Sequence, residues 1–177
     1  DMIDGGNGTD TADYRTSVNG ISVDLTQLNW VQNDGTATAT QDNLTNIEII
    51  QGSNSLASAD SFIMADVAIR LDGNNGTSDF VDYSGVAGNI TARLDGVDFL
   101  IFGGSGSIQR LTDIENIDTG AGNDTIRANG SNNTINTGDG TNTVFGSDGN
   151  DIINFGSGTD TIDYTGQGEA ITSTLGW

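Results

Sequence analysis

The sequence predicts an all-β fold of stacked parallel coils, a solenoid with little or no helix. Three observations predict it. Apolar residues recur every nine positions through one stretch, related longer units surround that stretch, and the composition is that of turns rather than helices. Gly supplies 26 of 177 residues, and Pro, Cys and His are absent. Of 25 acidic residues 22 are Asp; the five basic residues are all Arg, and the net charge is −20. Asp, Asn and Gly are the residues of tight turns and of oxygen-donor cation sites. No segment carries a convincing 3.6-residue apolar pattern. The length allows one domain or a stretch of a longer array.

This composition also excludes function classes. Without Cys there is no disulfide scaffold, zinc ribbon or thiol chemistry. Without His the commonest general base is missing. The negative charge argues against nucleic acid and against anionic membrane surfaces as partners. No apolar run reaches the 18 residues that a membrane-spanning helix needs. The chain opens at Asp1 rather than Met, and we expect a processed or excised piece.

Residues 1–13 read as a partial nonapeptide turn, Gly5-Gly6-Asn7-Gly8-Thr9-Asp10-Thr11-Ala12-Asp13. Residues 14–110 read as wider coils in two related units. Gly8-Thr9-Asp10-Thr11-Ala12-Asp13-Tyr14 returns, with one insertion, as Gly76 to Tyr83, and again as Gly158 to Tyr164. Ile21, Ile90 and Ile171 follow each Tyr at the same distance, as do Leu25, Leu94 and Leu175. Insertions are expected at Asn29–Gln41 and Val97–Ser107, and strands at Ile21–Leu25, Asn46–Ile50, Asn89–Leu94 and Asp98–Phe102. Tyr14, Tyr83 and Tyr164 are expected to be buried rings marking where a nonapeptide hands over to a wider coil. Trp30 is expected in the core, and Val97–Phe102 as a buried strand.

Residues 111–163 are the regular part. Ile117, Ile126, Ile135, Val144, Ile153 and Ile162 stand nine apart without a gap. Two positions before them stand Glu115, Asp124, Asn133, Asn142, Asp151 and Asp160. A Gly/Asx-rich run can turn, and the three residues after it can form a short strand with only the middle side chain inward. Two nonapeptides then make one coil, so those two apart stack at about 4.8 Å. Ile126, Val144 and Ile162 should line one sheet, and Ile117, Ile135 and Ile153 the other. Thr125, Thr134, Thr143 and Thr161 should face outward, and Asp139 and Asp148 should be solvated turn residues. Residues 164–177 read as the start of a third long unit. Asp1–Gln27 aligns with Asp151–Trp177 at a constant offset, which suggests a window in a tandem array.

The nonapeptide pattern resembles the repeats-in-toxin (RTX) family, whose repeat is G-G-x-G-x-D-x-U-x; Thr119–Arg127 and Gly5–Asp13 are the best single matches. The resemblance implies a right-handed parallel β-roll that holds calcium between coils through motif carboxylates and turn carbonyls. Carried over residue by residue, it implies Asp10, Asp124, Asp151 and Asp160 as carboxylate ligands. The turns contribute Gly122, Gly140, Gly149 and Gly158. Asn133 and Asn142 occupy the Asp position, where an amide oxygen ligates with less charge or forms a ladder without an ion. The resemblance also implies an extracellular, non-enzymatic structural or adhesive segment of a bacterial secreted or surface protein. Its partners would be neighbouring repeats or copies stacked end to end, and a surface glycan or protein ligand. Two alternatives stand beside it: a self-assembling filament or S-layer subunit, and a module appended to a secreted polysaccharide-active enzyme. An ice-binding ladder would need Thr at the third repeat position, where Ala121, Gly130, Asp139, Asp148 and Ser157 stand instead.

Overall fold

The computed structural model describes residues 1–26, 30–32, 41–95, 100–102 and 108–165. Among these residues there are eighteen strands in two nine-stranded sheets, and no helix. One sheet contains β1 (Met2–Asp4), β3 (Ser22–Asp24), β4 (Trp30–Gln32), β5 (Gln41–Thr45), β7 (Ser61–Ile63), β9 (Phe80–Asp82), β13 (Asn116–Asp118), β15 (Thr134–Gly140) and β17 (Ile152–Gly158). The facing sheet contains β2 (Thr11–Asp13), β6 (Ile49–Gln51), β8 (Arg70–Asp72), β10 (Ile90–Arg93), β11 (Leu100–Phe102), β12 (Ile108–Thr112), β14 (Thr125–Arg127), β16 (Thr143–Phe145) and β18 (Thr161–Asp163).

The nine-residue period sets the regular half. Thr134 pairs with Ile152 and Ile135 with Ile153 in parallel register, and Val144 pairs with Ile162 in the other sheet. Residues 18 apart therefore stack, and consecutive nonapeptides alternate between sheets. One inward residue per strand builds the core: Val23, Phe62, Val81, Ile117 and Ile135 in the first sheet, and Ile50, Leu71, Leu111, Ile126 and Val144 in the second, all buried. Ile153 is half-buried and Ile162 is 42% exposed. They sit on β17 and β18, the outermost strands, which have a neighbour on one side only. Thr125, Thr134 and Thr143 are half-exposed and Thr161 is exposed, on the outer faces.

The two longer units depart from a purely parallel solenoid. In the first unit β3, β4 and β5 form an antiparallel meander inside one sheet. In the second, β10, β11 and β12 do the same inside the other. The expected insertions thus contribute a strand each, β4 and β11, rather than only widening a coil. Side chains at Trp30 and in Val97–Phe102 lie outside the described residues, as do Ile171, Leu175 and the rest of 166–177.

The wider coils are held by polar plugs. Tyr83 is fully buried and its hydroxyl donates to Gln109 Oε1 at 2.6 Å. Gln109 Nε2 donates to the Ala65 and Val67 carbonyls, so one buried amide fastens the 64–69 crossing. Tyr14 is half-buried and donates to Asp42 Oδ2. Both tyrosines act as handover rings, as the sequence suggests, and each hydroxyl has the partner a buried phenol requires.

Ile135→Asp would place an unpaired charge between the sheets and should cost at least about 4 kcal/mol, abolishing cooperative unfolding. Ile153→Asp, on an outermost strand, should cost clearly less. Thr143→Asp should stay within about 0.5 kcal/mol. Chemical denaturation followed by circular dichroism gives the three values, and equal damage from all three would contradict the register.

Candidate calcium-associated turn columns

The residue two positions before each inward side chain falls where the chain leaves a turn and enters a strand. There the backbone N–H points along the stack, and a buried N–H must find an acceptor. The next layer supplies one from a side chain. Asp124 N–H donates to Asn142 Oδ1 at 2.9 Å, and Asn142 N–H to Asp160 Oδ1 at 3.0 Å. In the facing sheet Asn133 N–H donates to Asp151 Oδ1 at 3.0 Å. The motif Asp and Asn thus form ladders whose rungs are backbone amides.

The ladders continue beyond the regular repeats. Ile21 N–H donates to Asp60 Oδ1, Asp60 N–H to Asp79 Oδ1, and Asp79 N–H to Glu115 Oε2. At the other end Asp10 N–H donates to Glu48 Oε2. Asp60, Asp79 and Glu48 were not singled out from the sequence, because their spacings are not multiples of nine. The usable signal is position: each stands two before an inward strand residue, Phe62, Val81 or Ile50. Ile21 and Ile90 hold the same slot at the first strand of each meander. The sheet neighbour on that side, β4 or β11, runs antiparallel and brings no turn N–H to the slot, so an acid there would be orphaned.

Burial of these acids leaves their charge poorly compensated. Asp79 is fully buried, and desolvation, with Asp60, Glu115 and Asp113 adding to it, pushes its carboxyl up to about 7. Desolvation also raises Asp60, Glu115, Asp124 and Asp151. Asp124 uses both oxygens, Oδ1 for the Ile90 N–H and Oδ2 for the Thr119 hydroxyl at 2.6 Å. Gly5 stands where Thr119 would be relative to Asp10, and Asp10 Oδ2 is buried without a hydrogen-bond partner. Asp79 Oδ2 is orphaned in the same way.

The donor set suits calcium. Among the described residues no three acidic side chains converge on a metal-sized cluster, so an ion would draw on turn carbonyls with one or two carboxylates per coil. The turns present such carbonyls in stacked rows. Gly140 and Gly158 have φ of +144° and +147°, and a Cβ at either would collide with the carbonyl oxygen of Gly122 or Gly140 one coil below. Glycine is thus required both by conformation and by the close approach of successive turns. Asp151 and Asp160 each spend Oδ1 on a ladder rung, and the Asp10 Oδ2 has no rung to make. Asn133 and Asn142 serve the ladder: Asn133 Nδ2 donates to the Glu115 carbonyl, and Asn142 Nδ2 to that of Gly138. Asp139 lies in an exposed turn and its Oδ1 accepts the Ser157 N–H, while Asp148 is exposed.

Two predictions follow from this geometry. Asn142→Leu leaves the buried Asp124 N–H without an acceptor and should cost about 1–3 kcal/mol with or without calcium. Asn142→Asp keeps the acceptor but stacks a third carboxylate between Asp124 and Asp160. It should melt lower than the parent in chelator and gain more from added calcium. The raised carboxyls also fix the sign of the pH dependence. Between the ordinary Asp value near 4 and about 7, the folded chain holds a proton on Asp79 that the unfolded chain has released. In chelator, stability should therefore fall as pH rises through that window, by up to about 1.4 kcal/mol per pH unit for one proton. Asp79→Asn should flatten that slope, as read from urea midpoints at pH 4 to 8.

Comparison with known proteins gives one match and one blank. The sequence model of the RTX calcium-binding nonapeptide repeat, in four copies, matches residues 112–144 and again 128–162. No curated protein matches the chain. The matched span is the one in which strands 18 residues apart stack and the turn glycines approach one another. Over residues 112–162 this chain is therefore built of RTX calcium-binding nonapeptide repeats.

Proposed function

We propose that this chain is a non-enzymatic structural segment that works outside the cell, where calcium stiffens its turn columns. The observation that carries the reading is the continuity of the two ladders. The same backbone-to-side-chain rung recurs from Asp10 to Asp160, through the matched repeats and well beyond them. A chain built this way is a spacer or scaffold whose length and rigidity are its product. RTX-type repeats and the absence of Cys suit an exported protein, and a net charge of −20 suits a medium rich in divalent cations. An adhesive role in a bacterial surface protein is the form of this reading we favour, with the ligand bound by a glycan- or protein-recognising part of the parent.

Calcium should stabilise the fold without being required for it, because the Asn-containing ladders are complete without an ion. Binding to the folded state alone adds about 2.7 kcal/mol per site at a hundredfold excess over Kd. Chelator should lower the melting temperature while leaving the β signal at low temperature. Identical melts with calcium and with chelator would overturn the calcium role; loss of all β signal in chelator would overturn the ladder's independence.

A further inference from the structure

The ladder in the second sheet has a direction. Every rung runs from the β2 side toward the β18 side: Asp10 to Glu48, Ile90 to Asp124, Asp124 to Asn142, Asn142 to Asp160. The two ends are therefore different and complementary. At the β18 end the Asp160 N–H has no acceptor among the described residues. At the β2 end Asp10 Oδ1, the atom that accepts a rung in the equivalent Asp124 and Asp160, has no donor among them. β2 and β18 are the outermost strands of one sheet, and β1 and β17 those of the other. Their sequences share one frame, Gly8-Thr9-Asp10-Thr11-Ala12-Asp13 and Gly158-Thr159-Asp160-Thr161-Ile162-Asp163. Large apolar side chains are exposed at the same two places: Met2 by 82% and Ile3 by 37% at one, Ile152 by 58% and Ile162 by 42% at the other.

We infer that the β17–β18 end of one molecule docks on the β1–β2 end of a second copy, so that both sheets continue from molecule to molecule. The rungs fix the register. Thr161 of one copy lies opposite Thr11 of the next and Ile162 opposite Ala12, as Thr143 and Val144 lie opposite Thr161 and Ile162 within the chain. The Asp160 N–H donates to the Asp10 carboxylate, and Ile152 and Ile153 cover Met2 and Ile3. Docking like end on like end would set N–H against N–H or carboxylate against carboxylate, leaving both unpaired. The contact is therefore heterologous and does not close, and it produces open rows of molecules. It uses strand edges and amides and does not depend on the calcium role proposed above. Two chains of net charge −20 repel, so added salt should favour the contact.

Sedimentation velocity from micromolar to millimolar chain in chelator and moderate salt tests this directly. The parent should show a series of species that lengthens with concentration. Ile162→Asp should block one end and Ile3→Asp the other, with circular dichroism confirming that both fold. Each variant alone should be a monomer, and an equal mixture should give a 1:1 dimer and nothing longer. Asp10→Ala should weaken the parent's association at least about tenfold. A monomeric parent at every concentration would overturn the inference. So would a single variant that dimerises with itself, or a mixture that stays monomeric. Should either blocked variant fail to fold, the parent's concentration series decides alone.

Discussion

A backbone N–H that points along the stack, and the Asp, Asn or Glu oxygen one layer away that receives it, is the interaction on which the rest of this structure depends. Each coil must turn twice, and each turn exposes amides that the sheets do not pair. In a core only two sheets thick these groups sit beside Ile and Val, where an unmet donor is costly. Because the acceptor comes from the next coil, turn chemistry becomes stacking chemistry. The same contact that satisfies Asn142 sets the height and rotation of the coil carrying Asp160.

This explains why acids accumulate where they are hardest to ionise. Asp60, Asp79 and Glu115 form a buried run in which each receives the amide of its neighbour, and desolvation raises all three. Asn133 and Asn142 relieve the same strain in the regular repeats by keeping the oxygen and discarding the charge. A cation would relieve it by the opposite route. The chain uses amides where the coils are most uniform and leaves carboxylates with orphaned oxygens, at Asp10 and Asp79, outside that span.

The regular half was legible because its period is exposed in the sequence: Ile117 to Val144 predict their sheet, face and partner without further information. Asp124, Asn133, Asn142, Asp151 and Asp160 were legible as a column for the same reason. The meanders were not, because 29–41 and 97–107 carry no nine-residue beat, and nothing in them shows that the chain doubles back within a sheet. Gln109 was missed because it occupies an acid's slot as an amide and acts sideways, on the 64–69 crossing. Asp60 and Asp79 became visible only once strand position rather than sequence spacing defined the column.

The two meanders fall in opposite sheets, although their sequences are related. Each adds two strands to one wall of the solenoid, about 10 Å of extra height on that side alone. Two successive meanders in the same wall would make the stack lean further with every unit, as a wall with taller bricks on one side curls into an arch. Here β7 and β8 intervene between the units and shift the second meander to the other wall, so both walls finish at nine strands. A tilt introduced by one unit is cancelled by the next. A protein of this design could therefore be lengthened in pairs of units while keeping a straight axis.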